Sequence, residues 1–159
     1  MAIYLYTDGS SLGNPGPGGY GLRLEWEGMS YVKEFSQGFV RTTNNRMELM
    51  AVIVGLELLK KQSLEVVVYS DSKYVIDSVE KKWVFGWEKK AFKDKQNSDL
   101  WKRFLIIYRK HKVHFQWIKG HNQHPQNERC DQLAVAAAKG KNLIPDTAFE
   151  RMEREKSRD

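Results

Sequence analysis

The chain has 159 residues and carries 26 Lys and Arg against 20 Asp and Glu, a formal charge of +6. Hydrophobic residues at 41% and charged residues at 29% are ordinary globular usage for one domain and exclude a disordered, collagenous or fibrous chain. Cys130 is the single cysteine, which excludes an internal disulfide framework and a multi-cysteine zinc site, and no apolar run approaches the roughly 18 residues of a membrane span. A soluble, cytoplasmic monomer with no membrane contact and no obligate protein partner is expected. A pI near 9.3 puts a polyanion first among its partners.

Ala2 to Thr7 reads as a strand, and Tyr20 to Trp26 alternates Leu22, Leu24 and Trp26 with Gly21, Arg23 and Glu25, the period-2 pattern of a second. After a turn near Gly28, Tyr31 to Phe39 continues as a third strand. The period then changes: Met47, Met50, Ala51, Val54 and Leu58 line one helix face, with Thr43, Asn44 and Asn45 as a choice of N-caps. Glu65 to Ser70 is a short β-branched strand, Tyr74 to Lys82 and Leu100 to Tyr108 are helices, and Val113 to Trp117 is the last strand. Gln126 to Lys139 is an alanine-rich helix. This βββ-α-β-α-α-β-α order predicts an α/β fold, a five-stranded mixed sheet flanked by helices. Glu150 to Asp159 holds four acids and four bases with Met152 as its one apolar residue. The expected division is therefore a domain over 1–145 and a charged, flexible tail over 146–159.

Lys81 to Lys95 contains six lysines against Glu88 and Asp94, together with Trp83, Phe85, Trp87 and Phe92. A solvated helix face with its aromatics on the core explains it; so does a nucleic-acid handle, with lysines on phosphates and aromatics on sugars or bases. Gly16, Gly18 and Gly21 spell G-x-G-x-x-G, but a strand follows where a dinucleotide site needs a helix to begin, and no Gly-Lys-Ser/Thr closes a phosphate loop. What remains is a flexible connection, Gly9 to Gly19.

The strongest local signal is an echo. Tyr4-Leu5-Tyr6-Thr7-Asp8 and Val67-Val68-Tyr69-Ser70-Asp71 are both apolar strands ending in a hydroxyl residue and an aspartate. If they pair in parallel, Asp8 and Asp71 emerge together at the carboxyl edge of the sheet, where open α/β sheets place their sites. The competing reading is that each merely opens a turn or caps a helix. Glu48 is expected in the first turn of the helix after Thr43 and Asp131 early in the final helix, where acids also serve caps and dipoles. Four carboxylates with oxygen ligands only suit Mg²⁺ or Mn²⁺; a zinc site from His121, His124 and Cys130 lacks the second cysteine of a known spacing.

These residues also resemble a family. Tyr6-Thr7-Asp8-Gly9-Ser10, Gly13-Asn14-Pro15-Gly16-Pro17-Gly18-Gly19-Tyr20-Gly21, Thr42-Thr43-Asn44-Asn45-Arg46-Met47-Glu48, Ser70-Asp71-Ser72, Asp99-Leu100-Trp101 and Gly120-His121 with His124-Pro125 through Asp131 resemble type 1 ribonuclease H over nearly the whole length. The resemblance implies the ribonuclease H-like fold and an endoribonuclease that cuts the RNA strand of an RNA–DNA hybrid, leaving 5′-phosphate and 3′-hydroxyl ends. It implies two divalent ions, Mg²⁺ with Mn²⁺ as a substitute, held by Asp8, Glu48, Asp71 and Asp131, and it makes His121 a catalytic aid to proton transfer or product release. By the same resemblance, Asn14 and Asn44, with Glu48, sense RNA 2′-hydroxyls; Arg41, Thr43 and Asn97 grip a phosphate of the DNA strand; Tyr74 and Trp83 lie beneath deoxyribose. Lys89 and Lys90 belong to a basic protrusion that binds the hybrid. Lys73 stands where the family usually has a glutamine contacting a base edge or sugar, Gln123 where glycine is common, and Phe92 where tryptophan is frequent. A DNA-cutting nuclease of the same fold would space its acids differently, and a non-catalytic hybrid-binding module would have lost a carboxylate.

Overall fold

The computed structural model describes residues 1–119 and 124–158. Three antiparallel strands open the chain: β1 (Ala2–Ser11), β2 (Gly16–Trp26) and β3 (Val32–Thr42). Helix α1 (Asn44–Glu57) crosses to β4 (Glu65–Ser70), and α2 (Lys73–Glu80), α3 (Trp83–Lys89) and α4 (Ser98–Tyr108) lead to β5 (Lys112–Trp117). Helix α5 (Pro125–Lys139), the two-residue β6 (Leu143–Ile144) and α6 (Thr147–Ser157) complete the described chain. The sheet order is β5-β4-β1-β2-β3-β6. No helix of the described residues is long and apolar enough to cross a membrane.

The echoing strands are direct neighbours. β1 and β4 pair in parallel with Tyr6 opposite Tyr69, so extending that register by two residues brings Asp8 level with Asp71. The Thr7 hydroxyl donates to the Tyr69 carbonyl at 2.9 Å and ties the two strands just short of the acids. Helix α1 packs on one face of the sheet, and it is buried from Arg46 to Ile53 because α2 and α4 close over it. Helix α5 covers the opposite face over β1, β2 and β3. It comes so close at Gly21 that a Cβ there would overlap the Cys130 carbonyl. Between the layers lie Leu5, Leu22, Ile53, Val68, Trp101 and Phe104, all effectively inaccessible to water.

Three expectations need correction. The sheet has six strands, not five: β6 pairs in parallel with β3 at Gly38 and Phe39, and two residues are too few to carry a hydrophobic period. The connection expected over Gly9 to Gly19 is mostly strand, because β1 and β2 stay paired out to Ser11 opposite Gly18, which leaves only Leu12 to Pro15 as the turn. Within the stretch expected as a charged tail, Thr147–Ser157 forms helix α6. Asp146, 4% exposed, caps α6 by accepting from the Phe149 amide at 3.4 Å and also accepts from Arg46 Nε at 2.7 Å. Helix α6 buries none of its residues fully; it rests on its cap, the Arg41–Glu153 ion pair and the half-buried Phe149, whose ring centre lies 5.8 Å from the Arg46 guanidinium, which leaves little apolar pattern in the sequence.

Candidate active site

The acids converge through three different backbone devices. Asp8 lies inside β1, so it opens no turn. Asp71 falls between the end of β4 and α2, whose N-cap is Ser72, accepting from the Val75 amide at 3.2 Å. Thr43 caps α1 through the Arg46 amide at 3.3 Å; this puts Glu48 in the second turn, and the capping-box position belongs to Arg46. Glu48 is aimed instead by the Gly9 amide, which donates to its Oε1 at 2.7 Å and to Asp8 Oδ1 at 3.0 Å. Gly9 permits this approach: a Cβ there would overlap the Glu48 amide nitrogen. Carboxylate oxygens of Asp8, Glu48 and Asp71 lie within 4.8 Å of one another. Asp131, from the second turn of α5, lines the same cleft of about 410 Å³ with Asn127 and Glu128.

Such a cluster holds its protons. Burial pushes the Asp8 carboxyl up to about 7, with Asp71 and Asp131 adding to the rise and a hydrogen bond with Glu48 opposing it. Glu48 is raised well above the usual carboxylate range, first by burial and then by Asp8 and Asp71. Buried like charges at this range favour a shared proton unless a cation lies between them. Among the described residues, Glu48 Oε2 is buried without a hydrogen-bond partner, and so is Asn127 Oδ1. Orphaned buried acceptors are rare, and a hard divalent cation is what an all-oxygen donor set of this kind suits. The residues fit the metal that the sequence implies.

The other candidate residues flank this cleft. Asn14 Oδ1 accepts from the Asn44 amide at 3.1 Å, which joins the β1–β2 turn to the start of α1. Asn44 and Asn45 edge the acid cleft, while Asn14, Thr43, Asn45 and Asn97 line a second cleft of about 500 Å³ beside it. Asn97 has a left-handed backbone, φ 62°, and is held from both ends: its Nδ2 donates to the Tyr74 hydroxyl at 3.0 Å and its Oδ1 accepts from Arg46 Nη1 at 3.3 Å. The Tyr74 hydroxyl also accepts from Trp101 Nε1 at 2.8 Å, so the phenol is fixed rather than free to swing. Arg41 makes a bidentate pair with Glu153 of α6 at 2.7 and 3.0 Å. Lys73 lines the acid cleft with its ammonium 4.0 Å from the centre of the Trp117 ring. His121 and Gln123 lie outside the described residues.

In the basic segment the two readings divide by residue. Val84 and Phe92 are buried, and Phe85 and Trp87 pack against the core, Trp87 edge-on to Trp101; these are structural. Trp83 is 47% exposed, and Lys81, Lys82, Lys89, Lys90, Lys93 and Lys95 all face solvent. One exposed aromatic and a lysine-rich rim are what the segment offers a ligand.

A family model described as RNase H matches residues 1–139. This chain belongs to the ribonuclease H family. It is 50% identical over 159 residues to Ribonuclease H of Lachnoclostridium phytofermentans, covering 94% of this chain and all of that one. It is 48% identical over 153 residues to Ribonuclease H of Escherichia coli O127:H6, covering 93% of this chain and 96% of that one. Among solved structures it resembles LC9-RNase H1, described as a type 1 RNase H with the type 2 active-site motif. The TM-score there is 0.77 at 33% identity, over 86% of this chain and 72% of that one. It also resembles LC11-RNase H1 in complex with an RNA/DNA hybrid, with TM-score 0.65 at 27% identity, over 86% of this chain and 96% of that one.

Two results bear on residues of this ribonuclease H family member outside the acids. The zinc alternative has no support in the described residues: His124 Nδ1 caps α5 by accepting from the Asn127 amide at 3.2 Å, and burial keeps the Cys130 thiol protonated. Sequence reasoning missed Asn127, Trp117, Glu153 and the partners of Arg46. Glu153 and Asp146 lie beyond the family match, and each meets its arginine only through tertiary structure. No local pattern announces them.

Proposed function

We propose that this chain hydrolyses the RNA strand of RNA–DNA hybrids with two divalent ions, Mg²⁺ in the first place and Mn²⁺ as a substitute, leaving 5′-phosphate and 3′-hydroxyl ends. The observation that carries the reading is the oxygen cluster of Asp8, Glu48 and Asp71, with a buried Glu48 oxygen unpartnered among the described residues, opening beside the asparagines that start α1. Asp8, Glu48, Asp71 and Asp131 would hold the ions. The chemistry supplied by ions bound there is Lewis-acid activation of the attacking water and neutralisation of charge at the leaving oxygen. The remaining work falls to the chain itself. Gly9 fixes the Glu48 carboxylate so that its geometry is set before substrate arrives. Asn14 and Asn44 offer amide groups to RNA 2′-hydroxyls, the group that separates RNA from DNA. Arg41, Thr43 and Asn97 take a DNA-strand phosphate, Tyr74 and Trp83 support deoxyribose, and Lys73 meets a sugar or base edge. Lys89 and Lys90 neutralise phosphates outside the cleft, and His121 assists proton transfer or product release. The scheme needs one copy of the chain and suits the cytoplasm, a reducing compartment in which the unpaired Cys130 is at home.

The test is cleavage of a labelled RNA–DNA hybrid beside RNA duplex, DNA duplex and single strands, with Mg²⁺ and with EDTA. Cleavage confined to the RNA of the hybrid, and abolished by EDTA, is expected. Equal cutting of duplex DNA, or metal-independent cutting, overturns the reading.

A further inference from the structure

Helix α6 begins eight residues past the end of the family match at residue 139, yet it walls the larger of the two clefts. Phe149, Met152, Glu153 and Lys156 of α6 face Asn14, Thr43 and Asn97 across about 500 Å³. This cleft adjoins the acid cleft through Asn45, which lines both, so a duplex lying over the acids extends into it. Glu153, which lines this cleft, holds the Arg41 guanidinium, whose side chain is 47% exposed, fork to fork at 2.7 and 3.0 Å. A phosphodiester presents paired oxygens to the same guanidinium donors. Glu153 takes the Nε and Nη2 edge of Arg41, so a phosphate claiming that edge must displace it, and one taking the remaining Nη1 side meets the carboxylate's negative charge beside it.

Helix α6 is also not free to drift away. Its N-cap Asp146 is buried against Arg46 Nε at 2.7 Å and the Thr42 hydroxyl at 2.8 Å. A displaced Glu153 therefore stays about two turns from a fixed point and leaves a carboxylate beside the incoming phosphate.

We propose that Glu153 is an internal competitor for nucleic-acid phosphate at Arg41, and that α6 thereby sets the affinity of this chain for its substrate. The proposal rests on the hybrid-binding reading given above. Exposed ion pairs shift equilibria by up to about five-fold, which fixes the size of the effect to seek.

Fluorescence anisotropy of a labelled RNA–DNA hybrid in EDTA measures affinity without turnover, and steady-state cleavage in Mg²⁺ measures KM and kcat. Glu153→Gln should tighten binding about two- to five-fold and lower KM equally with kcat unchanged; Glu153→Lys should tighten it further. Glu155→Gln makes the same change of charge two residues along α6 and should leave affinity unaltered. In an Arg41→Ala background Glu153→Gln should have no effect. Unchanged or weaker binding by Glu153→Gln, equal tightening by Glu155→Gln, or persistence of the effect without Arg41 each overturns the proposal. Failure of the wild-type chain to cleave the hybrid in Mg²⁺ overturns the functional reading instead, while the anisotropy series still decides the role of Glu153.

Discussion

Asp8→Asn removes one carboxylate from a cluster that, without metal, works against the fold. In the unfolded chain an aspartate titrates near 3.9; in the folded chain burial and its acidic neighbours hold Asp8 near 7. Below about pH 4 both states are protonated and the group is neutral in the balance. Between about 4 and 7 the folded state keeps a proton that the unfolded state has lost, so stability falls as pH rises, and above 7 the loss is complete. With the carboxyl raised to about 7, at about 1.4 kcal/mol for each tenfold change in proton affinity, that loss is about 4 kcal/mol. Because Glu48 remains buried beside the new amide, the variant should recover about 2–4 kcal/mol at pH 8, or about 5–15 °C in Tm for a chain of this size. Urea and thermal unfolding in EDTA at pH 4.5, 6 and 8 should show a gain that is small at the lowest pH and full at the highest. Adding Mg²⁺ should stabilise the wild type by mass action and the variant much less, reversing their order if affinity is high. The variant should meanwhile keep less than a tenth of wild-type cleavage. A gain that is absent, or equal at every pH, would falsify the account of Asp8 as a desolvated carboxylate awaiting a cation.

Arg46→Ala should destabilise the fold by about 3–5 kcal/mol in urea unfolding, because it strands the buried Asp146 without its partner; a loss under 1 kcal/mol contradicts the network. His121→Ala should lower kcat on the order of 10²-fold, as loss of proton-transfer help does, and a variant as inactive as Asp71→Asn would make His121 a ligand or an indispensable base. Replacing Lys89, Lys90 and Lys93 with alanine should raise KM several-fold with kcat unchanged. It should also flatten the logarithmic salt slope of binding by up to about two or three units; an unchanged slope and KM would mean that these lysines only face solvent.

What could be read from sequence was whatever local rules encode. The echo of two strands ending in aspartate held because a parallel register is a local repeat in disguise: Tyr6 opposite Tyr69 carries Asp8 to Asp71. Glu48 was legible as an acid near a helix start but not as a buried one, since its environment is made by Gly9, a residue of another element. The course of the chain from Gly9 to Gly19 was misread because glycine pairs normally signal turns. Here the strands run on through them: Gly21 lacks a Cβ so that α5 can lie against β2, and Gly9 lacks one so that α1 can bring Glu48 to Asp8.

Arg46 marks the limit of that legibility and explains why the site depends on it. A lone arginine between Asn45 and Met47 reads as solvent-facing, since a guanidinium is expected outside. The structure buries it completely and uses four of its hydrogen bonds on Asp99 and Asp146, at 2.7 to 3.0 Å. Burial disfavours the charge, but these two carboxylates outweigh it and raise its pKa, and the guanidinium in turn holds Asp99 below its usual range against its own burial. Because Asp99 sits in the first turn of α4 and Asp146 caps α6, one side chain pins the start of α1 to two later helices. Its remaining side-chain hydrogen bond, to Asn97, reaches a residue whose left-handed backbone costs free energy unless its surroundings enforce it. The position of Asn97, proposed above to take a DNA-strand phosphate, is thus set from inside the core by a residue two positions from Glu48. On the proposed reading, one helix start would then serve both the phosphate pocket and the acid cluster, since Arg46 and Glu48 fall in the first two turns of α1.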